Sequence, residues 1–348
     1  MRTIDIAGRK IGAGHPCFII AEAGVNHNGS LDLALRLVDA AAEAGADAVK
    51  FQTFKAEKLI MKGTPQAEYQ KKNALSRDQY TMLRALELSE KQFAKICSRC
   101  SEKGIVFLST PFDEESVDLL ERLGIQAYKV GSGDLDNLPL LGKIALLKKP
   151  LILSTGMSAG KEIRRSVSFL EEASVNGLAL LHCVSAYPAP CGEVNLRAMS
   201  RLMKDYKYPV GYSDHTTGTT VALAAVALGA TVIEKHFTLD RRLEGPDHRA
   251  SSTPAELARM VKQIRQVESA LGDGIKRVMP SEVNTREVAR KSMVSSRLIR
   301  KGERVHGSML TAKRPPGGIA PADEAKLIGM RARSEIKAGT LLKWEMFE

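Results

Sequence analysis

The sequence predicts a (β/α)₈ barrel followed by a small β-rich domain. Eight strand-length apolar runs recur over about 250 residues, with helical patterns between them. Most runs do not alternate, as expected for strands that are buried on both faces of a parallel sheet. Near residue 285 the pattern changes to short strand-like stretches separated by glycine and proline turns. We therefore expect a barrel domain at 1–280, a linker at 281–290 and a second domain at 291–348.

Seven of the eight predicted barrel strands end in a polar residue or a glycine. The eight runs are Phe18–Gly24, Ala48–Thr53, Val106–Phe112, Ala127–Gly133, Leu151–Gly156, Leu178–Ser185, Val210–His215 and Thr231–Thr238. Predicted helices include Leu31–Ala44, Glu114–Leu123, Lys161–Ala173, Thr219–Leu228 and, as the last barrel helix, Thr253–Gly272. The glycines expected to close helices in a left-handed conformation are Gly45, Gly104, Gly124, Gly177 and Gly229. An open doubly wound sheet is the alternative, but it more often has about five to seven strands and a glycine-rich first turn.

One connection is longer than the others. Between Thr53 and Val106 the chain holds an extra segment from Phe54 to about Leu88. Because it follows the second strand, we expect it at the carboxyl-terminal face of the barrel, as a lid or a substrate loop.

The composition is that of a globular protein, with 44% hydrophobic and 26% charged residues, which excludes collagen-like and wholly disordered chains. The absence of an apolar run of about 18 residues and of a signal-type N-terminus leads us to expect a cytoplasmic protein with no membrane partner. The net charge of +11 suggests an acidic partner such as a phosphorylated or carboxylated substrate. Nucleic-acid binding is the alternative, but we expect no nucleic acid because no basic run interleaved with aromatic residues occurs.

The five cysteines do not resemble a disulfide framework. Cys97 and Cys100 form a Cys-x-x-Cys on the predicted helix Glu90–Lys103. A redox or zinc role is the alternative to two unreactive thiols on one helix, and no second such pair supports it.

The carboxyl-terminal strand ends carry the candidate chemistry, because barrel active sites lie there. Two lysines (Lys50, Lys129) and four hydroxyls (Thr110, Ser132, Ser154, Ser213) predict an anion site that suits a phosphate ester. The structural alternative for each serine taken singly is capping of the strand end. A lysine at a strand end can also be the Schiff-base nucleophile of an aldolase, and spacing alone leaves that open.

His215 and His236 end neighbouring strands, which makes a divalent transition-metal site open to substrate and water a further prediction. The alternative is a pair of satisfied histidines near the core. Glu22 is the one carboxylate at the end of the first strand and suits proton transfer or a hydrogen bond to a substrate hydroxyl. Asp247 and His248 follow the last strand as candidate supporting contacts.

The strand-end phrases together resemble the sialic acid synthase family. They are Ala21–Gly29, Lys50-Phe51-Gln52, Ser109–Phe112, Lys129–Gly133, Ser154–Met157, Gly211–His215, Glu234–Thr238 and Gly245–His248. The last domain resembles that family's antifreeze-like (SAF) domain, with Lys313-Arg314-Pro315 as its basic signature. The match runs over essentially the whole chain, in order.

The resemblance implies a transferase that condenses phosphoenolpyruvate with N-acetylmannosamine or a 2,4-diacetamido-2,4,6-trideoxymannose. The products are a nine-carbon 2-keto sugar acid, N-acetylneuraminate or legionaminate, for a surface glycan, and phosphate. It also implies a divalent metal, usually Mn²⁺ with Mg²⁺ and Co²⁺ as alternatives, and a homodimer in which the SAF domain of one subunit covers the barrel of the other. Another phosphoenolpyruvate–aldose synthase, of the pseudaminate type or with a different sugar, is the alternative.

The resemblance also implies roles for individual residues. The metal ligands are His215 and His236. The phosphoenolpyruvate contacts are Lys50, Thr110, Lys129, Ser132, Ser154, Ser185 and Ser213. The sugar contacts are Glu22, Gln52, Tyr187, Asp247 and Arg314, the last expected to act on the partner subunit's site. Glu22, Lys50, Lys129 and the two histidines are the expected catalytic set.

Two positions depart from the family pattern. Ser185 stands where members that use N-acetylmannosamine often have asparagine, and Pro316 where many have glycine. Lys235 lies outside the assigned site, so Lys235→Met is expected to have modest effects, whereas Lys129→Met should abolish turnover.

Overall fold

The computed structural model describes residues 2–65 and 78–348. The chain forms two compact units, Met1–Gly272 and Asp273–Glu348. Within the described ranges, no helix has both the length and the apolar character needed to cross a membrane. The domain limits at 280 and 290 that the sequence suggests stay predictions.

The first unit is a barrel of parallel strands. Two short strands precede the barrel, β1 (Ile4–Ile6) and β2 (Arg9–Ile11). The barrel strands are β3 (Phe18–Gly24), β4 (Ala48–Thr53), β5 (Val106–Pro111), β6 (Tyr128–Val130), β7 (Leu151–Ser154), β8 (Leu178–Cys183), β9 (Val210–Asp214) and β10 (Val232–His236). Their order in the sheet is β5-β4-β3-β10-β9-β8-β7-β6, and β5 also lies against β6, so the strands follow one another around a barrel in chain order. The predicted fold class is therefore confirmed.

Several observed strands end earlier than predicted, because the last polar residues of the predicted runs leave the ladder. For example, β8 ends at Cys183 and β9 at Asp214, so Ser185 and His215 belong to the loops that follow. These residues thus lie at the rim of the barrel.

Helices, most of them amphipathic, pack around the barrel. They are α1 (Leu31–Glu43), α2 (Ala56–Leu59), α3 (Gln79–Ala85), α4 (Glu90–Lys103), α5 (Glu114–Arg122), α6 (Leu138–Leu146), α7 (Gly160–Glu172), α8 (Arg197–Asp205), α9 (Thr220–Ala227) and α10 (Pro254–Leu271). Helix α1 buries Ala34, Leu37, Val38 and Ala41, the i, i+3, i+4, i+7 positions of one face. All five glycines expected to adopt a left-handed conformation do so, with φ between 66° and 98°.

An amino-terminal β-hairpin, β1–β2, was not predicted. Ala7 and Gly8 both have positive φ, 53° and 80°, as a two-residue type I′ turn requires. The hairpin buries Ile4, Ile6 and Ile11 against barrel-interior residues that include Phe18. It therefore closes the amino-terminal end of the barrel, and the apolar alternation of Ile4 and Ile6 was its sequence signal.

The interior of the barrel is layered. Every second residue of a strand points inward, and the lower inward positions are apolar, as with Ile20, Leu108 and Ile152. The next inward position towards the carboxyl end is polar in the same three strands: Glu22, Thr110 and Ser154. The apolar layer forms a packed core beneath a polar cavity.

The extra segment after β4 is partly described. The expected lid or substrate loop spans 54–88, and its residues 66–77 lie outside the described residues. Phe54, Met82 and Leu86 form a buried cluster with Val25, which directly follows β3. The described part therefore packs beside the carboxyl-terminal strand ends.

The second unit has its own core. It contains α11 (Val283–Ala289) within the predicted linker, an antiparallel pair β11 (Ser292–Ser295) and β12 (Leu310–Lys313), and α12 (Glu324–Leu327). Isolated bridges such as Ile299 to Ile336 connect its loops. Its buried residues are Met293, Ile299, Val305, Met309, Ile319, Leu327, Ala332, Ile336, Leu342 and Phe347.

Candidate active site

A cavity of about 370 Å³ opens at the carboxyl-terminal ends of the barrel strands. The structure brings twelve of the predicted site residues together in its wall: Glu22, Lys50, Gln52, Thr110, Lys129, Ser132, Ser154, Ser185, Tyr187, Ser213, His215 and His236. Phe112, Met157, Cys183 and Glu234 also line it. Of the other two predicted site residues, Asp247 belongs to the same unit without lining the cavity, and Arg314 belongs to the second unit.

Two buried lysine–carboxylate pairs form the floor of the cavity. Lys50 Nζ lies 2.8 Å from Glu22 Oε2 and donates to Thr110 Oγ1 at 3.0 Å. Lys129 Nζ lies 3.6 Å from Glu234 Oε1, which accepts a hydrogen bond from Ser213 at 3.2 Å. All four charged groups are buried. Each charge has an opposite charge beside it, which is what allows ions to be buried at this depth.

The surroundings separate the pKa values of the two carboxyl groups. Burial raises the pKa of Glu22 to about 7, against the opposing effect of Lys50 and with the help of Glu234. Burial also acts to raise the pKa of Glu234, but Lys129 and Lys50 outweigh it and the net direction is down. Two carboxyl groups with separated pKa values are the usual basis for one acid and one base.

The pKa values of the two lysines are shifted in opposite directions. Burial acts to lower the pKa of both ammonium groups. Glu22 and Glu234 outweigh burial at Lys50, so its pKa rises, whereas burial prevails at Lys129 and its pKa falls. The nearby carboxylates therefore stabilise the charge of Lys129 less than that of Lys50, and a bound anion would stabilise Lys129 more.

Hydroxyl groups and a glycine complete the anion site. Ser132 Oγ accepts a hydrogen bond from Gly156 N at 2.9 Å. Ser154 Oγ is buried and has no hydrogen-bond partner among the described residues. A Cβ on Gly156 would lie 2.8 Å from Ser132 Oγ and 3.1 Å from Cys183 Sγ. The glycine is thus required for space, and the unpartnered Ser154 hydroxyl is available to a ligand.

The two histidines lie side by side at the rim. Their ring centroids are 5.4 Å apart, and the Tyr187 ring lies 4.2 Å from that of His215. His215 Nδ1 donates to Val184 O at 2.8 Å, which leaves Nε2 as the nitrogen that can accept. Burial and the neighbouring His215 hold the pKa of His236 well below its usual value, so this imidazole is neutral.

This donor set fits a divalent ion only with help from a ligand. In residues 2–65 and 78–348, no group of three or more His, Cys, Asp or Glu side chains could hold a metal by itself. Buried His236 Nδ1 has no hydrogen-bond partner among the described residues, and its ring is neutral, as a metal ligand must be. The pair of imidazoles therefore fits an open site that substrate and water would complete.

Asp247 and His248 belong to the first unit without lining the cavity, and Arg314 belongs to the second unit. Asp247 Oδ2 is 3.9 Å from His236 Nδ1, and burial raises the pKa of this carboxyl to about 6. Arg314 is exposed in the second unit. Both ring nitrogens of His248 have partners, Thr238 Oγ1 at 2.6 Å and Asn28 Oδ1 at 3.1 Å, so this histidine braces the loop after β10.

Residues 37–276 match the model of the NeuB family. The chain belongs to the NeuB family. Residues 290–348 match the SAF domain. The predicted resemblance, with a catalytic barrel followed by an SAF domain, is confirmed, and with it the prediction of an enzyme.

Full-length relatives agree with this assignment. The chain is 47% identical over 342 residues to an N,N'-diacetyllegionaminic acid synthase of Legionella pneumophila, covering 97% of this chain and 96% of that one. It is 48% identical over 328 residues to a protein of the same name from Campylobacter jejuni, covering 93% and 98%. The crystal structure of an N-acetylneuraminic acid synthetase from Leptospira borgpetersenii, solved with citrate, matches with a TM-score of 0.73 and 37% identity, covering 82% and 95%.

Sequence reasoning left Glu234, Cys183, Met157 and Phe112 of this NeuB-family chain unassigned. Glu234 lies two residues before His236, and Cys183 two before Ser185. Since side chains two apart in a strand share a face, the period of two was a usable signal for Glu234 and, within the predicted run Leu178–Ser185, for Cys183. The same period explains why Ser109 does not line the cavity: its hydroxyl pairs with Thr53 Oγ1 at 2.7 Å on the outer side of the wall.

Lys235 lies outside the cavity, as expected, but it is buried and paired. Its side chain is 2% exposed, and Nζ lies 2.7 Å from Asp214 Oδ2. Lys235→Met would leave a buried carboxylate unpaired, at a cost of about 3–5 kcal/mol. The modest effect on turnover expected from its position outside the cavity stays a prediction, and the buried pair adds an expected loss of stability.

The Cys-x-x-Cys pair lies on α4, away from the cavity. Burial raises the pKa of Cys97 to about 11 and that of Cys100 further. A thiol with a raised pKa is a poor nucleophile and a poor metal ligand at neutral pH, so the interpretation as unreactive thiols is favoured.

Proposed function

We propose that this NeuB-family enzyme condenses phosphoenolpyruvate with an N-acylated mannosamine-type sugar. The products are a nine-carbon 2-keto sugar acid and phosphate. The observation that carries the proposal is the buried cavity in which Lys50, Lys129 and the Ser154 hydroxyl lie beside two histidines. Lysine cations and hydroxyl donors suit the phosphate and carboxylate of phosphoenolpyruvate, and an imidazole pair suits a metal that activates an aldehyde.

Among the sugars, the 2,4-diacetamido-2,4,6-trideoxymannose that gives legionaminate is the leading candidate. Two relatives at 47% and 48% identity over nearly their whole length carry the name N,N'-diacetyllegionaminic acid synthase. Ser185 in the cavity wall is shorter than the asparagine expected for N-acetylmannosamine users. N-acetylmannosamine is the second candidate, favoured by the structural similarity to the Leptospira enzyme.

Binding the anionic substrate involves the charge balance of the cavity floor. Lys50 and Lys129 are paired with Glu22 and Glu234, so the four groups carry no net charge when all are ionised. Phosphoenolpyruvate brings negative charge into this buried space. Glu22, with a pKa of about 7, is the group able to take up a proton in compensation. Protonated Glu22 is then in place as a general acid.

The chain's own groups supply the proton transfers. Carbon 3 of phosphoenolpyruvate forms a bond to the sugar aldehyde carbon while Glu22 protonates the aldehyde oxygen. Water adds to the electron-poor carbon 2 and gives a proton to Glu234, whose lowered pKa keeps it ionised. The intermediate then loses phosphate by cleavage of the carbon 2–oxygen bond, its hydroxyl proton leaves with the phosphate, and a 2-keto group remains. Lys129 and Lys50 stabilise the departing anion.

His215 and His236 would hold the divalent metal, for which we propose Mn²⁺, with Mg²⁺ and Co²⁺ as alternatives. When bound, the metal polarises the sugar aldehyde. Asp247, 3.9 Å from His236, is proposed to orient that ring and to contact the sugar together with Gln52 and Tyr187. We propose a cytoplasmic location.

We further propose a homodimer in which Arg314 acts on the partner subunit's cavity. Co-expression of Lys129→Met and Arg314→Met chains tests this, because each variant is inactive alone. In a mixed dimer one of the two barrels would be intact and receive an intact arginine, so an isolated mixed dimer should have about half of wild-type activity. A co-expressed population, of which about half is mixed dimer, should have about a quarter. No recovered activity in isolated mixed dimers would contradict action between subunits.

The test of the reaction is phosphate release from phosphoenolpyruvate with Mn²⁺, offering the two sugars in parallel. Turnover with only the trideoxy sugar supports the legionaminate assignment, and turnover with N-acetylmannosamine moves the enzyme to N-acetylneuraminate. No phosphate release with either sugar contradicts the proposed substrates and favours another aldose, including that of a pseudaminate-type synthase. Labelling of a lysine by borohydride with pyruvate would instead support a Schiff-base aldolase.

A further inference from the structure

A buried ion pair joins the two strands that end in the candidate metal-binding histidines. Asp214 and Lys235 face each other across the parallel pair β9–β10, each directly preceding one of these histidines. Lys235 Nζ lies 2.7 Å from Asp214 Oδ2, and the two side chains are 2% and 0% exposed. Because neighbouring residues in a strand point to opposite faces, the pair lies on the outer side of the barrel wall.

The same pair also holds the chain beyond His215. Asp214 Oδ1 accepts hydrogen bonds from Thr216 N at 2.9 Å and from Thr216 Oγ1 at 2.7 Å. Lys235 Nζ donates to Thr216 O at 2.8 Å. His215 therefore stands between two residues whose polar groups are bound to each other and to the neighbouring strand.

This bracing matters because β9 ends at Asp214, so His215 lies outside the strand ladder. His215 O accepts a backbone hydrogen bond from Ala189 N at 2.9 Å. With only two imidazoles as protein ligands, no other protein group could compensate if one ring were displaced. Their separation must come from supporting contacts.

We propose that the Asp214–Lys235 pair is a positioning device that sets the spacing of His215 and His236 for a divalent ion. This inference rests on the metal site of the proposed function. An apolar pair of similar size could fill the same volume under the helices, but it could not bind Thr216 O. The ion pair therefore fixes the position of the chain around His215, in addition to filling space.

The test compares Mn²⁺ binding and thermal stability in three variants. Lys235→Met removes the cation. The double variant Asp214→Asn/Lys235→Met removes both charges and so leaves no unpaired ion. Arg265→Met is the control for an ion pair lost elsewhere, because Arg265 is 3.0 Å from Asp47, which precedes β4 at the other end of the barrel and keeps Arg9 as a second partner. The dissociation constant for Mn²⁺ alone is measured from the electron paramagnetic resonance signal of free Mn²⁺.

We expect lower melting temperatures for Lys235→Met and for Arg265→Met, but weaker Mn²⁺ binding, by about 10-fold or more, for Lys235→Met only. The double variant should regain thermal stability while its Mn²⁺ affinity stays low, a combination that a purely structural role does not produce.

Two results would overturn the inference while leaving the proposed function intact: wild-type Mn²⁺ affinity in Lys235→Met, or joint recovery of stability and affinity in the double variant. A wild-type chain that turns over phosphoenolpyruvate without taking up Mn²⁺ would overturn both the metal site and this role. Absence of turnover with normal Mn²⁺ uptake would count against the proposed reaction alone.

Discussion

Adding one methyl group at Gly156 should disable the anion site without unfolding the barrel. The new Cβ would lie 2.8 Å from Ser132 Oγ and closer still to Ser185 Oγ. Ordinary contact begins near 3.4 Å, so Ser132 Oγ must withdraw by about 0.6 Å and Ser185 Oγ by more. Gly156 does not have a positive φ, so alanine brings no backbone strain and the effect is one of space.

The expected loss follows from that displacement. Misplacement of binding groups by about 1 Å can reduce catalysis by about 100-fold. Both serines are surface groups of the cavity that can rotate away, so the fold tolerates the methyl group while the anion site does not. We expect kcat/KM for phosphoenolpyruvate to fall by about 100-fold, mainly through KM, with little change in melting temperature.

The assay is phosphate release at varied phosphoenolpyruvate, with a thermal melt of each protein. Gly160→Ala is the matched control, because a Cβ there meets no atom within 4 Å and Gly160 begins α7. That variant should keep wild-type kinetics. Unchanged KM and kcat in folded Gly156→Ala would refute the placement of the phosphate or carboxylate beside Ser132 and Ser185.

Three further predictions test the charged groups. Lys129→Met should lower kcat/KM by about 1000-fold. It should also reduce stability, because among the described residues Lys129 is the cation within 4 Å of the Glu234 carboxylate. Phosphate release and a thermal melt measure the two effects, and an active, stable variant would contradict the assignment. Glu22→Gln should lower kcat by about 100-fold or more. In the wild type kcat/KM should fall above pH 7, because the acid form of Glu22 disappears as pH rises through a pKa of about 7, and the variant should not show this fall. A pH–rate profile of the variant that still falls above pH 7 would exclude Glu22 as the acid. His27→Asn should make the barrel less sensitive to acid: burial lowers the pKa of His27 from 6.5 to about 4, so its contribution to stability is present above pH 6.5 and is lost as pH falls towards 4, by about 2 kcal/mol at pH 5. Asparagine can still accept the hydrogen bond from Gly29 N, and urea unfolding at pH 7.5 and pH 5 that shows the same difference in variant and wild type would contradict the prediction.

Much of the fold and of the candidate site could be predicted because both follow from local patterns. The strand runs were apolar on both faces, and the glycines that end helices adopt the expected positive φ at Gly45 and Gly104. Glu22 and Lys50 could be placed in one cavity because parallel strands in a barrel bring their carboxyl ends to one rim. These inferences required only local sequence patterns and the barrel topology, and no knowledge of particular contacts between distant residues.

The missed features depend on contacts that local patterns do not specify. The outward position of Lys235 follows from the period of two, but its burial depends on tertiary packing, including that of helices α8 and α9 against the neighbouring strand β9. Outward residues of a barrel strand face those helices and not water, so a lysine there requires a partner, and Asp214 supplies it. The pKa of Glu22 is raised mainly by burial, but it also depends on Glu234, which lies on β10, the neighbour of β3 in the barrel and its last strand in chain order.

The unsatisfied groups of the cavity make ligand binding and barrel stability interdependent. Among the described residues, buried atoms without a hydrogen-bond partner include Ser154 Oγ, Glu234 Oε2 and His236 Nδ1, all at the cavity. Each such group costs about 1–3 kcal/mol, and the apolar layer of Ile20, Leu108 and their neighbours must offset that cost. A ligand that supplies the missing partners removes the cost only in the folded state. Phosphoenolpyruvate with Mn²⁺ should therefore raise the melting temperature in proportion to its binding. This increase should be smaller in Gly156→Ala, where Ser132 and Ser185 are displaced, than in Gly160→Ala.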